Sequence, residues 1–207
     1  MARTALDRLW ATAAGLKRAS RARTASLPPL LFFTDPKRTP DIAAVAERLP
    51  RGAGIVLRTF GADGQAAQVA AIAKRRGLVL LIGADERLAA SLGAGGVHLP
   101  ERMAPAIPAI RARHPQWIIT LAAHSSRAVR NAARLGADAV VLSAVFESAS
   151  PTAGRPLGPL RLAAIARTSP IPVYALGGVN MKNARRLAAT GVVGIAAVEG
   201  VLDALRT

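Results

Sequence analysis

The stretch Trp117–Ser143, WIITLAAHSSRAVRNAARLGADAVVLS, holds one full turn of the pattern that decides the fold. It opens on an apolar run, Trp117–Ala122, and passes through Ala123-His124-Ser125 into a segment of helical period, Ser126–Leu135. It then turns at Leu135-Gly136-Ala137 and closes on a second apolar run, Ala139–Ser143. A run that is apolar along its whole length suits a strand covered on both faces. A helix between two such runs carries the chain back to the starting edge, so the strands lie parallel. Glycine just past the helix supplies the left-handed cap that lets the chain turn back.

Read outward from there, the same unit recurs. Apolar runs fall at 30–34, 54–58, 78–82, 96–99, 117–122, 139–143, 173–176 and 193–197. Helical segments fall between them at 40–49, 64–76, 86–92, 104–113, 126–135, 160–167 and 181–189, with 202–205 closing. Leu92-Gly93-Ala94 and Thr190-Gly191-Val192 repeat the helix-to-strand punctuation. The spacing predicts an α/β chain folded as a single (β/α)8 TIM barrel, for which 207 residues is near the lower limit of about 200 to 250. A doubly wound open sheet shows the same alternation, but no Gly-x-Gly-x-x-Gly follows the first run.

Residues 1–27 differ in style and are read as a basic amphipathic extension, with the barrel over 28–207. Arg3, Arg8, Lys17, Arg18, Arg21 and Arg23 stand against one acid, Asp7, while Leu6, Leu9, Trp10, Ala13 and Leu16 share a helical stripe. An organelle transit peptide has a similar composition; an extra helix packed on the barrel or on a subunit partner is the preferred reading. No run is long enough to span a membrane, and a cytoplasmic location is expected.

The formal net charge of +16 raises the question of a polyanionic partner. Aromatics are 3% of the chain, and neither Trp10 nor Trp117 sits in a basic cluster, so the stacking side chains of a nucleic-acid binder are missing and nucleic acid is not expected. With no cysteine, thiolate chemistry and Cys-ligated zinc are excluded. Three scattered histidines, His98, His114 and His124, make a His-based metal site improbable.

Chemistry in this fold collects at the C-terminal ends of the strands. Val173-Tyr174-Ala175-Leu176-Gly177-Gly178-Val179 ends a strand in paired glycines, and Gly191–Ala197 leads into the closing helix. Bare N–H groups beside a helix N-terminus make a phosphate cradle, expected here at Gly177, Gly178, Gly194 and Ala197. The competing reading is that the glycines only make tight turns. His124 is placed to face the barrel mouth as a group able to give and take a proton near neutral pH. Arg58 is a candidate to neutralise a phosphate, or to pair with Asp35; Ser143 and Ser148 are candidate donors to a ligand. His98, inside a strand, is read as a satisfied core residue.

Phe33-Thr34-Asp35, Leu57-Arg58, Gly93-Ala94-Gly95-Gly96-Val97-His98-Leu99, Ala123-His124-Ser125, Gly136-Ala137-Asp138, Ser143-Ala144-Val145-Phe146 and Ala175-Leu176-Gly177-Gly178-Val179 occur in an order that resembles the thiamine phosphate synthase/TenI family. The likeness runs from about Leu30 to the C-terminus. It implies a barrel, a small phosphorylated thiazole or thiamine ligand, and a homodimer. Synthases of that family hold magnesium with an Asn-Asp pair and a further Asp; the corresponding positions here are Gly83, Ala84 and Met103. The family's Gln-x-Arg-x-Lys is reduced to Val56, Arg58 and Phe60, and its Thr-Pro-Thr-Lys loop to Ser148-Ala149-Ser150-Pro151. Asp85 and Glu101 are each displaced by a residue or two from the metal positions. The expectation is therefore a TenI-like thiazole tautomerase needing no cofactor, with His124 catalytic. The alternatives are an atypical thiamine phosphate synthase, which would bring magnesium back, and a non-catalytic barrel that binds a phosphorylated ligand. Glu199 is anomalous, because the resemblance implies a small hydroxyl residue beside the phosphate.

Overall fold

The computed structural model describes residues 4–20, 26–58, 64–148 and 154–207. The expectations for Arg3, Arg21, Arg23, Phe60, Ala149, Ser150 and Pro151 fall outside them. Helix α1 (Ala5–Ala19) precedes a strictly alternating series: β1 (Leu30–Phe33), α2 (Ile42–Arg48), β2 (Gly54–Leu57), α3 (Ala66–Arg76), β3 (Val79–Gly83) and α4 (Glu86–Ser91). There follow β4 (Gly96–Leu99), a 3-10 segment (Glu101–Ala106) running into α5 (Ile107–Arg113), β5 (Ile118–Ala123), α6 (Ser126–Leu135), β6 (Ala139–Leu142) and α7 (Gly158–Thr168). The series ends with β7 (Val173–Ala175), a short 3-10 segment (Ala184–Leu187), β8 (Gly194–Ala197) and α8 (Glu199–Arg206).

The eight strands pair in sequence order, and β8 returns to pair in parallel with β1, closing a barrel. Strand alternation divides the apolar residues into two populations. Leu31, Phe33, Val56, Leu81, Val141 and Tyr174 form one cluster inside the barrel. Leu30, Phe32, Ile55, Ile82, Leu142 and Ile195 belong to a second cluster, shared with the surrounding helices. Both sides of each strand are therefore dry, which is why the runs carry no polar alternation.

The stripe on α1 is buried as read: Leu6, Leu9, Ala13 and Leu16 join the layer between barrel and helices. Thr4 and Asp7 close a capping box at its start. Lys17 Nζ donates to the Leu27 carbonyl at 2.5 Å, tying the helix to the chain entering β1. Burial of Leu9 alone contributes roughly 1.5 to 3 kcal/mol. No helix among the described residues is long and apolar enough to cross a membrane.

Two helices depart from expectation. The segment 104–113 begins as a 3-10 turn containing Pro105 and becomes α-helical only from Ile107. The expected helix over 181–189 is reduced to Ala184–Leu187. There Asn180 Oδ1 accepts from Lys182 N at 2.9 Å and Asn183 Oδ1 from Asn180 N at 2.9 Å, so side chains hold the backbone in turns that compete with a helix. Helix α1 packs against this shortened segment, β8 and α8, and covers the flank that a longer helix would otherwise cover.

Candidate functional site

At the C-terminal ends of the strands lies a cavity of about 800 Å³, within the usual range for small-molecule sites. Its wall contains Arg58, His124, Ser143, Ser148, Gly177, Gly178 and Ala197, so seven of the eight candidates from the sequence meet at one opening. Gly194 does not join them and is a correction. It begins β8, at the far end of the barrel, where an added Cβ would stand 2.3 Å from the Pro29 carbonyl oxygen. Its missing side chain serves strand packing there.

Gly178 makes a tight turn and also lines the cavity. Its φ of 65° is left-handed, and a Cβ would fall 2.0 Å from the Glu147 carbonyl oxygen. The pair Gly177-Gly178 thus lets the exit of β7 lie against the segment after β6, where Phe146 N donates to Gly177 O at 3.0 Å. Gly177, Gly178 and Val179 also line the cavity, facing Val198, Glu199 and Gly200 at the start of α8. No side chain caps that helix; Val201 N and Leu202 N both donate to the Val198 carbonyl at 3.2 Å, and the N–H groups of Glu199 and Gly200 ahead of them stand at the cavity wall.

His124 follows β5 directly. Ser125, not His124, caps α6 by accepting from Ala128 N at 3.1 Å. The imidazole, 62% exposed, instead places Nδ1 2.9 Å from Glu101 Oε2, in the segment after β4. A carboxylate at Nδ1 favours the tautomer protonated there, in which Nε2 carries the lone pair.

The cavity floor holds a residue that the sequence hides. His98 is buried as expected, with Nδ1 3.0 Å from Thr120 Oγ1 and its ring meeting Phe33 edge-on at 4.8 Å, yet it also lines the cavity. Burial, helped by the charge of Arg58, pushes its pKa down to about 3, so the ring stays neutral at physiological pH. Arg58 is anchored by Nε to the Thr34 carbonyl at 2.7 Å, with Nη2 3.8 Å from Asp35 Oδ2 and its guanidinium 5.7 Å from the Phe33 ring centroid. Burial lowers the Arg58 pKa, and Asp35 opposes that effect.

Arg38, Arg102 and Arg155 also reach the cavity wall. Arg38 explains the anomalous Glu199. Its Nη1 donates to Glu199 Oε1 at 3.2 Å and its Nη2 to Asp35 Oδ2 at 2.7 Å. The Arg38 guanidinium holds the Asp35 carboxyl below its ordinary range.

Of the three positions that the family resemblance gives to magnesium, Gly83, Ala84 and Met103, none carries a carboxylate. Asp85 caps α4 by accepting from Leu88 N at 2.8 Å, and Glu101 is engaged with His124. Among the described residues no three acidic or histidine side chains converge to hold an ion.

A closed β/α barrel with a small-molecule cavity at its strand C-termini is the class that fold and site define. A family model described as thiamine monophosphate synthase matches residues 30–201, and the chain belongs to that family. It is 34% identical over 139 residues to a putative thiamine-phosphate synthase 2 of Aquifex aeolicus, covering 67% of this chain and 74% of that one. It is 31% identical over 188 residues to the thiamine-phosphate synthase of Chlorobium limicola, covering 86% and 89% respectively. The solved thiamine phosphate pyrophosphorylase of Pyrococcus furiosus superposes with a TM-score of 0.71 at 26% identity, over 86% of this chain and 92% of that one.

Proposed function

We propose that the chain is an enzyme that binds a thiazole phosphate at the barrel mouth and isomerises its ring by proton transfer through His124, without a metal. His124 in the cavity wall carries this reading, its Nδ1 held 2.9 Å from Oε2 of Glu101, which stands behind it in the segment after β4. Nε2 takes a proton from the saturated ring carbon, and the imidazolium returns one to the exocyclic carbon doubly bonded to the ring, so the ring becomes aromatic and atoms and charge balance. Glu101 steadies the cation between the two steps. The phosphate meets the uncapped start of α8 and the backbone at Gly177 and Gly178, while Arg58, Ser143 and Ser148 contact the rest of the ligand. The homodimer implied by the family resemblance is retained with this reading, and light scattering checks it.

A second reading, thiamine phosphate synthesis, is favoured by the names of the curated relatives and of the Pyrococcus structure. One experiment separates the two. The protein is given the non-aromatic thiazole phosphate in the presence of chelator, and ring aromatisation is followed by NMR. In parallel it is given a pyrimidine diphosphate with thiazole phosphate, with and without added magnesium, and pyrophosphate release is measured. Aromatisation alone supports proton transfer, and pyrophosphate release supports the synthase. Binding with neither reaction leaves a non-catalytic barrel.

A further inference from the structure

Beside the cavity wall at the start of α8 lies a linked set of charges, to which Arg58 also belongs through Nη2, 3.8 Å from Asp35 Oδ2. Asp35 and Arg38 come from the β1–α2 connection, and Glu199 is the first residue of α8. Arg38 is forked between two carboxylates: one arm to Asp35 at 2.7 Å and the other to Glu199 at 3.2 Å. The two arms are not equivalent. Asp35 also accepts from the backbone N–H groups of Lys37 and Arg38 through Oδ1, at 3.1 and 3.3 Å, and its side chain is 21% exposed. Glu199 makes the longer contact, and its side chain is 47% exposed. The Asp35 arm is the fixed one.

We infer that Glu199 is a resident anion that holds one arm of Arg38 until the phosphate of the ligand takes that arm over, making Arg38 and Glu199 determinants of affinity for a phosphomonoester. The inference rests on the thiazole phosphate reading above and adds Arg38, with Glu199 as its competitor. Arg38 and Glu199 both line the cavity beside Gly178 and Gly200, so the guanidinium and the incoming phosphate share one wall. A half-exposed carboxylate–guanidinium contact is weakly held. A phosphate dianion offers the same planar fork more charge and more acceptors. Handing over the Nη1 arm leaves Arg38 pinned by Asp35 and releases Glu199 to solvent. The Glu199 charge then costs affinity twice, by competing for Arg38 and by repelling the phosphate.

The test is isothermal titration of wild type, Glu199→Gln and Arg38→Gln with thiazole phosphate, its dephosphorylated alcohol and inorganic phosphate. Glu199→Gln should bind thiazole phosphate about three- to tenfold more tightly, and Arg38→Gln about tenfold or more weakly. Neither change should alter affinity for the alcohol, and inorganic phosphate should follow the phosphorylated ligand. Should Glu199→Gln unfold, Glu199→Ser carries the same expectation. Weaker binding by the Glu199 variants would make Glu199 a tether for Arg38 and overturn the inference, as would equal gains for phosphate and alcohol. Wild-type binding without a gain in the Glu199 variants overturns this inference alone. If neither wild type nor variant binds thiazole phosphate, the ligand reading fails and this one fails with it.

Discussion

Acidification from pH 8 to pH 5 should remove about 2 kcal/mol of folding stability through His98 alone. Its ring sits on the cavity floor against Phe33 and Thr120, and burial pushes its pKa from 6.5 to about 3 in the folded protein. The unfolded chain binds a proton near pH 6.5, whereas the folded one does not until far lower. The contribution is therefore fully present above 6.5 and is lost as the pH falls from 6.5 towards 3. At pH 5 the unfolded imidazole is almost fully protonated and the folded one is neutral. The difference is RT ln(1 + 10^1.5), about 2 kcal/mol, and it does not depend on how far below 5 the folded value lies. Urea unfolding at pH 8, 6.5 and 5 measures it for wild type and for His98→Gln, which keeps a polar group towards Thr120 but cannot titrate. The other histidines and the carboxylates are common to both proteins and cancel in the comparison. Wild type should lose about 2 kcal/mol more than the variant across this range. Parallel stability curves would refute the buried, neutral imidazole.

His124→Asn should keep the fold and ligand affinity while lowering the isomerisation rate about 10² to 10⁴-fold, as single-turnover kinetics would show; an unchanged rate would move the proton carrier elsewhere. Glu101→Gln should lower the same rate less than His124→Asn does while leaving ligand affinity unchanged in calorimetry; an unchanged rate would remove Glu101 from the reaction. Gly178→Ala should destabilise the protein by more than about 1 kcal/mol in urea unfolding, because a left-handed φ and a Cβ 2.0 Å from the Glu147 oxygen must both be relieved; a neutral effect would mean the β7 exit yields easily.

The eight apolar runs, their spacing and the glycine punctuation were enough to derive the barrel, because a strand buried on both faces and the helix that follows it are local patterns with distinct periods. His124 and the paired glycines were legible for a related reason: the fold rule sends strand C-termini to one mouth, so position along a strand already implies a place in the site. Gly194 was misplaced because a glycine motif does not show at which end of a strand it lies; the register with Tyr174 and the Pro29 carbonyl puts it at the opposite end. The 181–189 segment was read as helix because the Asn180 and Asn183 side-chain bonds that hold its backbone in turns leave the apolar period untouched. The partners of the charged residues were beyond the sequence altogether. Arg38 meets Glu199 across 161 positions of chain, and Glu101 meets His124 across 23. Such pairs form only when barrel closure brings the loop after β1 beside the helix after β8, and the loop after β4 beside the end of β5. Composition supplies the charges, but ion pairing acts over a few ångströms, and only the closed tertiary structure sets those distances.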